Sequence, residues 1–248
     1  MHWTDDAFVL SARAYGESGL LVQLLAREHG RHAGLVRGGQ GRKARPVFET
    51  GNRVEASWSA RLAEHLGSWR CELGHGLAAL VMEDPRRLAC LASAAAVAES
   101  ALPEREPMPR IFDGFAELMD ALALGAGWAE IYVRWEVELL TELGFGLDLA
   151  TCAVTGGTAD LAFVSPKTGR AVSRDAAAPY EAKLLKLPPF LVGDKPAEAA
   201  DIADGLTLTG YFLDRHVFAP QTRELPPARQ RFVDRMRVFP TISGLSSL

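Results

Sequence analysis

Hydrophobic and polar positions alternate with a period of two along the first third of the chain. The alternation is clearest in residues 54–59, where Val, Ala and Trp alternate with polar side chains, and again in residues 68–73. A period of two is typical of strands that bury one face. Three weaker segments of the same kind come earlier: Ala7–Arg13, Leu20–Arg27 and His32–Arg37. Short strands this closely spaced predict a small antiparallel barrel over residues 1–79.

After residue 80 the apolar positions recur every three or four residues, which is the period of an amphipathic helix. Asp84 followed by Pro85 predicts a helix start, because the carboxylate can cap free N–H groups and proline is favourable at the first helical position. The predicted helices are Pro85–Leu102, Pro109–Leu124, Trp128–Leu143, Ala197–Phe218 and Ala228–Val238. Residues 147–179 are rich in Gly, Thr and Ser and predict an insertion with short strands. We therefore expect a helical second domain over residues 80–248.

Charge is distributed unevenly along the 248 residues, whose formal net charge is −4. Residues 1–80 hold 10 basic and 8 acidic side chains, and the remainder holds 17 and 23. No stretch is apolar enough to span a membrane and the amino terminus lacks a secretory pattern, so we expect a cytoplasmic protein. The three cysteines have no C-x-x-C spacing, which argues against a disulfide framework and against a self-contained zinc site.

The connection between the third and fourth predicted strands, residues 36–46, is called here the basic loop. It combines three glycines with four basic side chains and no acid: Arg37, Arg42, Lys43 and Arg45. Glycines let a backbone approach phosphates, and basic groups neutralise phosphates and release counterions. Beside aromatic residues such as Phe48, Trp58 and Trp69, the loop is similar to the charge-plus-stacking design of single-strand binders. The alternative is a solvated surface loop next to aromatic residues of the barrel core.

The chain carries no recognisable catalytic or nucleotide-binding motif. Gly34–Gly39 is followed by Gln40, which excludes a Walker A loop, and a G-x-G-x-x-G pattern begun at Gly39 ends on Ala44. The sequence therefore predicts a protein that acts by binding, without a cofactor. An unrecognised hydrolase remains an alternative, and it would require a deep pocket with convergent acids or bases.

Two further groups of polar residues have simple interpretations. His29 and His32 are three residues apart, a spacing that metals use, but no third ligand is evident and we expect no metal there. Glu136 and Glu138 lie in a predicted helix, where we expect them on the surface.

Several segments, taken in order, resemble the bacterial recombination mediator family RecO. The amino-terminal ones are AFVLSARAYGES at Ala7–Ser18, EHGR at Glu28–Arg31 and the basic loop. The later ones, similar to the family's central helix and zinc-finger-like insertion, are Arg134–Glu136, Leu143–Asp148, Cys152–Gly156 and Val164–Gly169. The resemblance covers most of the chain.

The resemblance implies an α+β fold, with an N-terminal OB-fold barrel followed by an all-helical domain that carries the insertion. It implies a nucleoid-associated, non-enzymatic mediator of DNA repair that binds single- and double-stranded DNA, anneals single strands, contacts RecR and helps RecA load onto DNA covered by single-strand-binding protein. The four basic residues occupy the family's basic barrel loop. Arg134 matches an arginine beside the groove for the acidic tail of single-strand-binding protein. Its alternative is an ordinary surface arginine.

The chain departs from the family pattern in the insertion. Some relatives bear two C-x-x-C pairs there, whereas this chain has Cys152 with Thr155, and then Ser173 with Ala176. Hydroxyl and methyl groups cannot replace thiolate ligands, so we expect no zinc. We expect packing to hold the insertion, through Leu161, Phe163, Val164 and Val172.

A barrel protein that handles RNA would use the same charge and stacking chemistry. The sequence cannot separate it from a DNA-binding protein, and only a comparison of DNA with RNA binding can do so.

Overall fold

The computed structural model describes residues 1–238, which have the mixed α+β structure that the sequence predicts. The chain divides into two compact units, Met1–Trp128 and Ala129–Leu248. The last ten residues of the predicted helical domain, 239–248, lie outside the described residues. Within residues 1–238 no helix has the length and apolar character needed to cross a membrane.

The first unit contains a closed barrel of five strands in the order β1-β2-β3-β5-β4. The strands are β1 (His2–Tyr15), β2 (Gly19–Ala26), β3 (Gly30–Val36), β4 (Arg53–Ser59) and β5 (Ser68–His75). The wholly antiparallel barrel expected from the sequence is wrong at one pair, because β3 and β5 pair in parallel at Leu35 and Ser68. β4 runs antiparallel to β1, and β5 runs antiparallel to β4. β5 therefore runs in the same direction as β3, and closing the barrel pairs these two strands in parallel.

Alternate side chains of the strands fill the barrel, as the period of two requires. The largest are Trp58 and Trp69, and the indole N–H of Trp58 donates a hydrogen bond of 3.1 Å to the carbonyl oxygen of Leu66. Smaller side chains complete the core: Ala7, Val9, Val22, Leu24, Ala26, Val54 and Ala56. The aromatic residues of the barrel are thus used largely for packing.

Three helices follow the barrel in the first unit: α1 (Ala78–Val81), α2 (Pro85–Ala101) and α3 (Pro109–Leu124). The predicted start of α2 is confirmed, because the Asp84 carboxylate accepts hydrogen bonds of 2.9 and 3.2 Å from the N–H groups of Arg86 and Arg87. Helix α3 has the predicted bounds. Phe8 of β1 packs against Phe112 of α3 at a ring distance of 5.3 Å. A domain boundary near residue 80 stays a prediction.

The segment between α2 and α3 is fastened to two turns of the barrel. The N–H of Arg105 donates a hydrogen bond of 2.8 Å to the carbonyl oxygen of Arg31, next to the β2–β3 turn. Its guanidinium donates to the carbonyl oxygens of Ala63 and His65 in the β4–β5 loop. Gly30 permits this approach, because a Cβ there would lie 2.0 Å from the carbonyl oxygen of Glu106.

The second unit combines helices with a small sheet in the order β7-β6-β8. Its helices are α4 (Trp128–Glu142), of which only the first residue belongs to the first unit, α5 (Arg174–Ala177), α6 (Ala199–Phe212) and α7 (Pro227–Val238). Its strands are β6 (Leu161–Val164), β7 (Ala171–Ser173) and β8 (Leu185–Lys186). The insertion's sheet thus extends past residue 179. The predicted helix 197–218 changes to a π-helix at Leu213–Phe218. Gly205 of α6 permits close packing on α4, because a Cβ there would lie 2.8 Å from Val133 Cγ1.

The expectation that Glu136 lies on a helix surface is wrong. Its side chain is fully buried and accepts hydrogen bonds from Tyr132 of its own helix, from Thr209 of α6 and from Arg229 of α7. The helical period placed Glu136 correctly within α4, but it could not show that a distant arginine supplies the compensating charge.

Candidate nucleic-acid interface

The basic loop is a series of tight turns. Gly38 has a left-handed backbone with φ of +67°, and the N–H of Gly41 donates a hydrogen bond of 3.1 Å to its carbonyl oxygen. The N–H groups of Ala44 and Arg45 both donate to the carbonyl oxygen of Gly41. The loop then enters a 3-10 helix at Arg45–Phe48. Backbone hydrogen bonds therefore define the conformation of the loop, and its basic side chains take no part in them.

Gln40 ties the basic loop to the β1–β2 turn. Its side-chain amide donates hydrogen bonds of 2.8 Å to the carbonyl oxygen of Gly19 and 3.2 Å to that of Gly16, and its backbone N–H donates one of 3.1 Å to Ser18. Two segments that are about 20 residues apart thus form one surface at this end of the barrel.

All four basic residues of the loop are exposed. Throughout residues 1–238, no carboxylate lies within ion-pair distance of Arg37, Arg42, Lys43 or Arg45. Their charges are therefore available to an external anion. Phosphates of a nucleic acid fit this arrangement, because binding them releases counterions and supplies most of the non-specific affinity.

Several other barrel arginines already have carboxylate partners. Arg13 lies 2.8 Å from Glu99, and Arg53 lies 2.5 Å from Asp6. Arg61 and Arg70 resemble the loop residues, since both are exposed and form no ion pair among the described residues. Sequence analysis missed these two arginines. For Arg70, the alternation of apolar and polar residues in β5 could have indicated an outward-facing side chain.

Of the two interpretations of Phe48, Trp58 and Trp69, the burial of all three side chains supports the barrel core and contradicts stacking on a nucleobase. Their exposed fractions are 6, 2 and 5%, so no nucleobase can reach their ring faces. The barrel needs large side chains to fill its interior, and these three residues supply them.

Arg45 also lines a groove of about 800 Å³ between β1 and α2. On the helix side the groove is lined by Leu88, Ala92 and Ala96, which recur every four residues along one face of α2. On the barrel side it is lined by Gln40 of the basic loop. The groove is therefore continuous with the basic loop.

His29 and His32 both pack against the ring of Trp3 but differ in burial and in polar contacts. His29 stacks on Trp3 at a ring distance of 3.7 Å, and its Nδ1 lies 2.8 Å from an Asp5 carboxylate oxygen. His32 is buried, and burial, together with the charges of Arg105 and His29, lowers its pKa to about 4. Neither ring nitrogen of His32 has a hydrogen-bond partner within residues 1–238.

Cys152, Thr155, Ser173 and Ala176 of the insertion lie close together in the structure. Cys152 Sγ lies 3.4 Å from Ser173 Oγ and accepts a hydrogen bond of 3.3 Å from the Ser173 N–H, and Ala176 packs against the same cluster. Burial raises the pKa of the Cys152 thiol, but hydrogen bonds from Ser173 and Thr155 outweigh burial and lower the pKa to about 6. Within residues 1–238, no three His, Cys, Asp or Glu side chains could together hold a metal ion.

Packing around this cluster differs in part from the expectation. Phe163 and Val172 form its core with Cys152 and Ala177, and Leu161 packs at its edge. Val164 is buried but lies outside this cluster. Successive residues of a strand point to opposite faces, which accounts for Val164 being buried on a different side from Phe163.

Arg134 lies on α4 with its side chain 48% exposed. It donates a hydrogen bond to the carbonyl oxygen of Phe190, lies over the Phe190 ring at 5.5 Å, and lies 3.8 Å from a Glu130 carboxylate oxygen. The arginine therefore anchors the segment around Phe190 and also presents part of its guanidinium to solvent. Arg134 belongs to the second unit, whereas the basic loop belongs to the first.

Comparison with known proteins identifies the family. The chain matches the model described as Recombination protein O N terminal over residues 1–73 and the model described as Recombination protein O C terminal over residues 82–225. A protein of Rhodospirillum centenum named DNA repair protein RecO is 58% identical over 248 residues, which are 99% of each chain. Proteins with the same name from Rhodospirillum rubrum and Phenylobacterium zucineum are each 52% identical, over 96 and 95% of this chain and 97 and 98% of their own. The resemblance in the sequence is thus confirmed, and the chain belongs to the RecO family.

Proposed function

We propose that this protein is a recombination mediator that binds and anneals single-stranded DNA during repair. Membership of the RecO family supports a role in DNA repair. The observation that carries the finer proposal is the basic loop: four exposed basic side chains with no carboxylate partner among residues 1–238, on a backbone fastened to the barrel by Gln40. Nucleoid association and binding of duplex DNA through the same charges are part of the proposal.

We further propose that the barrel is an OB-fold. Five strands in the order β1-β2-β3-β5-β4 and the parallel pairing of β3 with β5 support this. OB-folds bind oligonucleotides through a strand face and through the loops that border it. The β1–β2 turn is one of these loops, and Gln40 joins it to the basic loop. The OB-fold proposal thus places the basic loop next to a surface suited to a single strand.

The proposed activity needs no chemical step, because binding supplies the energy. Two complementary strands repel each other through their phosphates, and basic side chains reduce this repulsion when both strands lie on one surface. The basic loop supplies such a surface. Annealing then follows from base pairing between strands that the protein holds close together.

The proposal includes protein partners. Contacts with single-strand-binding protein and RecR would bring the mediator to covered DNA and help RecA load there. Arg134 is our candidate for the acidic tail of single-strand-binding protein, because the exposed part of its guanidinium can pair with a carboxylate.

We propose that the insertion is a zinc-finger-like module without metal. The convergence of Cys152, Thr155, Ser173 and Ala176 supports this interpretation. In this interpretation, hydrogen bonds and a small apolar core stabilise the insertion instead of a metal ion.

The DNA-binding proposal is tested by replacing Arg37, Arg42, Lys43 and Arg45 together with alanine and titrating labelled single-stranded DNA at several salt concentrations. If all four contact phosphates, their loss makes the slope of log K against log salt shallower by about 3, which corresponds to an affinity difference of about 50-fold between 50 and 200 mM salt. Unchanged affinity and slope in the variant would reject the loop assignment. The same titration with RNA tests whether DNA is preferred.

A matched control removes four charges elsewhere. Lys167, Lys183, Arg231 and Arg235 are exposed and form no ion pair in the part of the chain that the structure describes. Their replacement by alanine changes the net charge equally and is expected to leave the slope nearly unchanged. An equal effect of both variants would show that net charge, not the basic loop, governs binding.

The partner proposal is tested by a pull-down with single-strand-binding protein, with and without its C-terminal tail. Hydrogen bonds to charged groups contribute about 1.5–3 kcal/mol, so Arg134→Ala is expected to weaken tail-dependent binding by roughly 10- to 150-fold. Binding that needs neither the tail nor Arg134 would contradict this assignment.

A further inference from the structure

Tyr15 is an exposed aromatic residue of the barrel. It ends β1 immediately before the β1–β2 turn, and 54% of it is exposed. Its ring has no aromatic, cationic or hydrogen-bonding partner within residues 1–238. Phe48, Trp58 and Trp69, by contrast, are used in the core. Tyr15 thus has a free aromatic surface of the kind that a nucleobase requires.

The backbone beneath this ring is well fixed. Tyr15 pairs with Gly19 across the hairpin, and a Cβ at Gly19 would lie 2.8 Å from the Tyr15 carbonyl oxygen, so only glycine fits there without a shift. The turn between them is held by the hydrogen bonds from Gln40 to Gly16 and Gly19. A ring on such a backbone needs little ordering when it binds a ligand, which lowers the entropic cost of binding.

The same hydrogen bonds bring Tyr15 close to the basic loop. Gln40 contacts the residue that follows Tyr15, and Arg42 and Lys43 are two and three residues after Gln40. Two residues span at most about 7 Å, and lysine and arginine side chains reach further. Arg42 and Lys43 are therefore only two and three residues along the chain from the residue that is hydrogen-bonded to the turn beside Tyr15.

We propose that Tyr15 stacks on an unpaired nucleobase of a strand whose phosphates contact Arg42 and Lys43. The inference rests on the proposed DNA-binding function and specifies its ligand as a nucleic acid with unstacked bases. Any base has a ring face, so this contact selects single strands without selecting sequence. Glu17, exposed in the turn, repels phosphates and favours a strand that runs along the basic loop with its bases toward Tyr15.

The test compares Tyr15→Ala and Tyr15→Phe in the full chain, with labelled oligothymidylate and a duplex of equal length as probes. Alanine is expected to weaken single-strand binding by about 5- to 150-fold, the range for loss of one base–aromatic stack. The salt slope should not change, because no phosphate contact is lost, and duplex binding should also stay unchanged. Phenylalanine keeps a ring face and should bind the single strand as the parent does. Tyr180→Ala, at an exposed tyrosine of the second unit, is the matched control.

The outcomes separate the two proposals. A parent chain without salt-dependent binding to oligothymidylate would overturn the proposed function, and the stacking role with it. A parent chain that binds while Tyr15→Ala binds equally well would overturn the stacking role alone. Equal losses for the single strand and the duplex, or an equal loss in Tyr180→Ala, would also overturn it.

Discussion

The guanidinium of Arg229 in α7 donates hydrogen bonds of 2.7 and 2.8 Å to the two carboxylate oxygens of Glu136 in α4. Glu136 is completely buried and Arg229 almost so. Tyr132 and Thr209 donate further hydrogen bonds to the same carboxylate. The pair therefore links three helices of the second unit through one fully satisfied polar network.

Breaking this pair should destabilise the protein strongly. Arg229→Met leaves the Glu136 carboxylate buried without its counter-charge, and removal of one partner of a buried ion pair typically costs about 3–5 kcal/mol. Denaturant unfolding followed by circular dichroism measures this loss. The double variant Glu136→Leu with Arg229→Met should recover much of it, because no uncompensated charge remains. A single variant as stable as the parent would contradict this account.

The stability of the barrel should fall in mild acid because of His32. Its pKa of about 4 in the folded chain lies below the usual histidine value of 6.5, so protonation favours the unfolded chain as the pH falls through this window. The stabilisation is nearly complete at about pH 7.5, and linkage gives a loss of about 2 kcal/mol between there and about pH 5. Denaturant midpoints at several pH values measure the effect. His32→Leu should remove this part of the pH dependence, and an unchanged profile in that variant would assign it to other groups.

Gln40 should influence DNA binding without touching the DNA. Gln40→Met keeps the size of the side chain but loses the hydrogen bonds to Gly16 and Gly19. Such bonds contribute about 0.5–1.5 kcal/mol each, so single-strand affinity should fall by roughly 2- to 10-fold as the basic loop loses its fixed position. The salt slope should remain that of the parent, since the charges are retained. A shallower slope would mean that Gln40 acts through the phosphate contacts themselves.

The insertion should accept zinc when cysteines replace Thr155, Ser173 and Ala176. Sulfur ligands 2.3 Å from a tetrahedral zinc lie about 3.8 Å apart, close to the 3.4 Å between Cys152 Sγ and Ser173 Oγ. We expect elemental analysis to find no zinc in the parent and about one equivalent in Thr155→Cys, Ser173→Cys, Ala176→Cys. One equivalent in the parent would refute the metal-free interpretation. No zinc in the triple variant would show that the four positions do not form a zinc-like site.

Local pattern in the sequence predicted the secondary structure well. Helix α3 has the predicted bounds, because its apolar stripe and Pro109 are signals within the helix itself. The Asp84 cap depends only on the next three residues and is confirmed. The family, too, could be identified from the sequence, since its motifs occur in order along the chain.

The tertiary structure decided which residues meet across long separations. The sequence marks Phe48, Trp58 and Trp69 as aromatic and Glu136 as charged, but burial depends on what the rest of the chain places around each side chain. The pairing of β3 with β5, the link from Gln40 to the β1–β2 turn, and the partnership of Glu136 with Arg229 all join segments distant in sequence. Periodicity acts over neighbouring residues and carries no information on such contacts. The exposure of Tyr15 and its place beside the turn that Gln40 holds depend on such contacts.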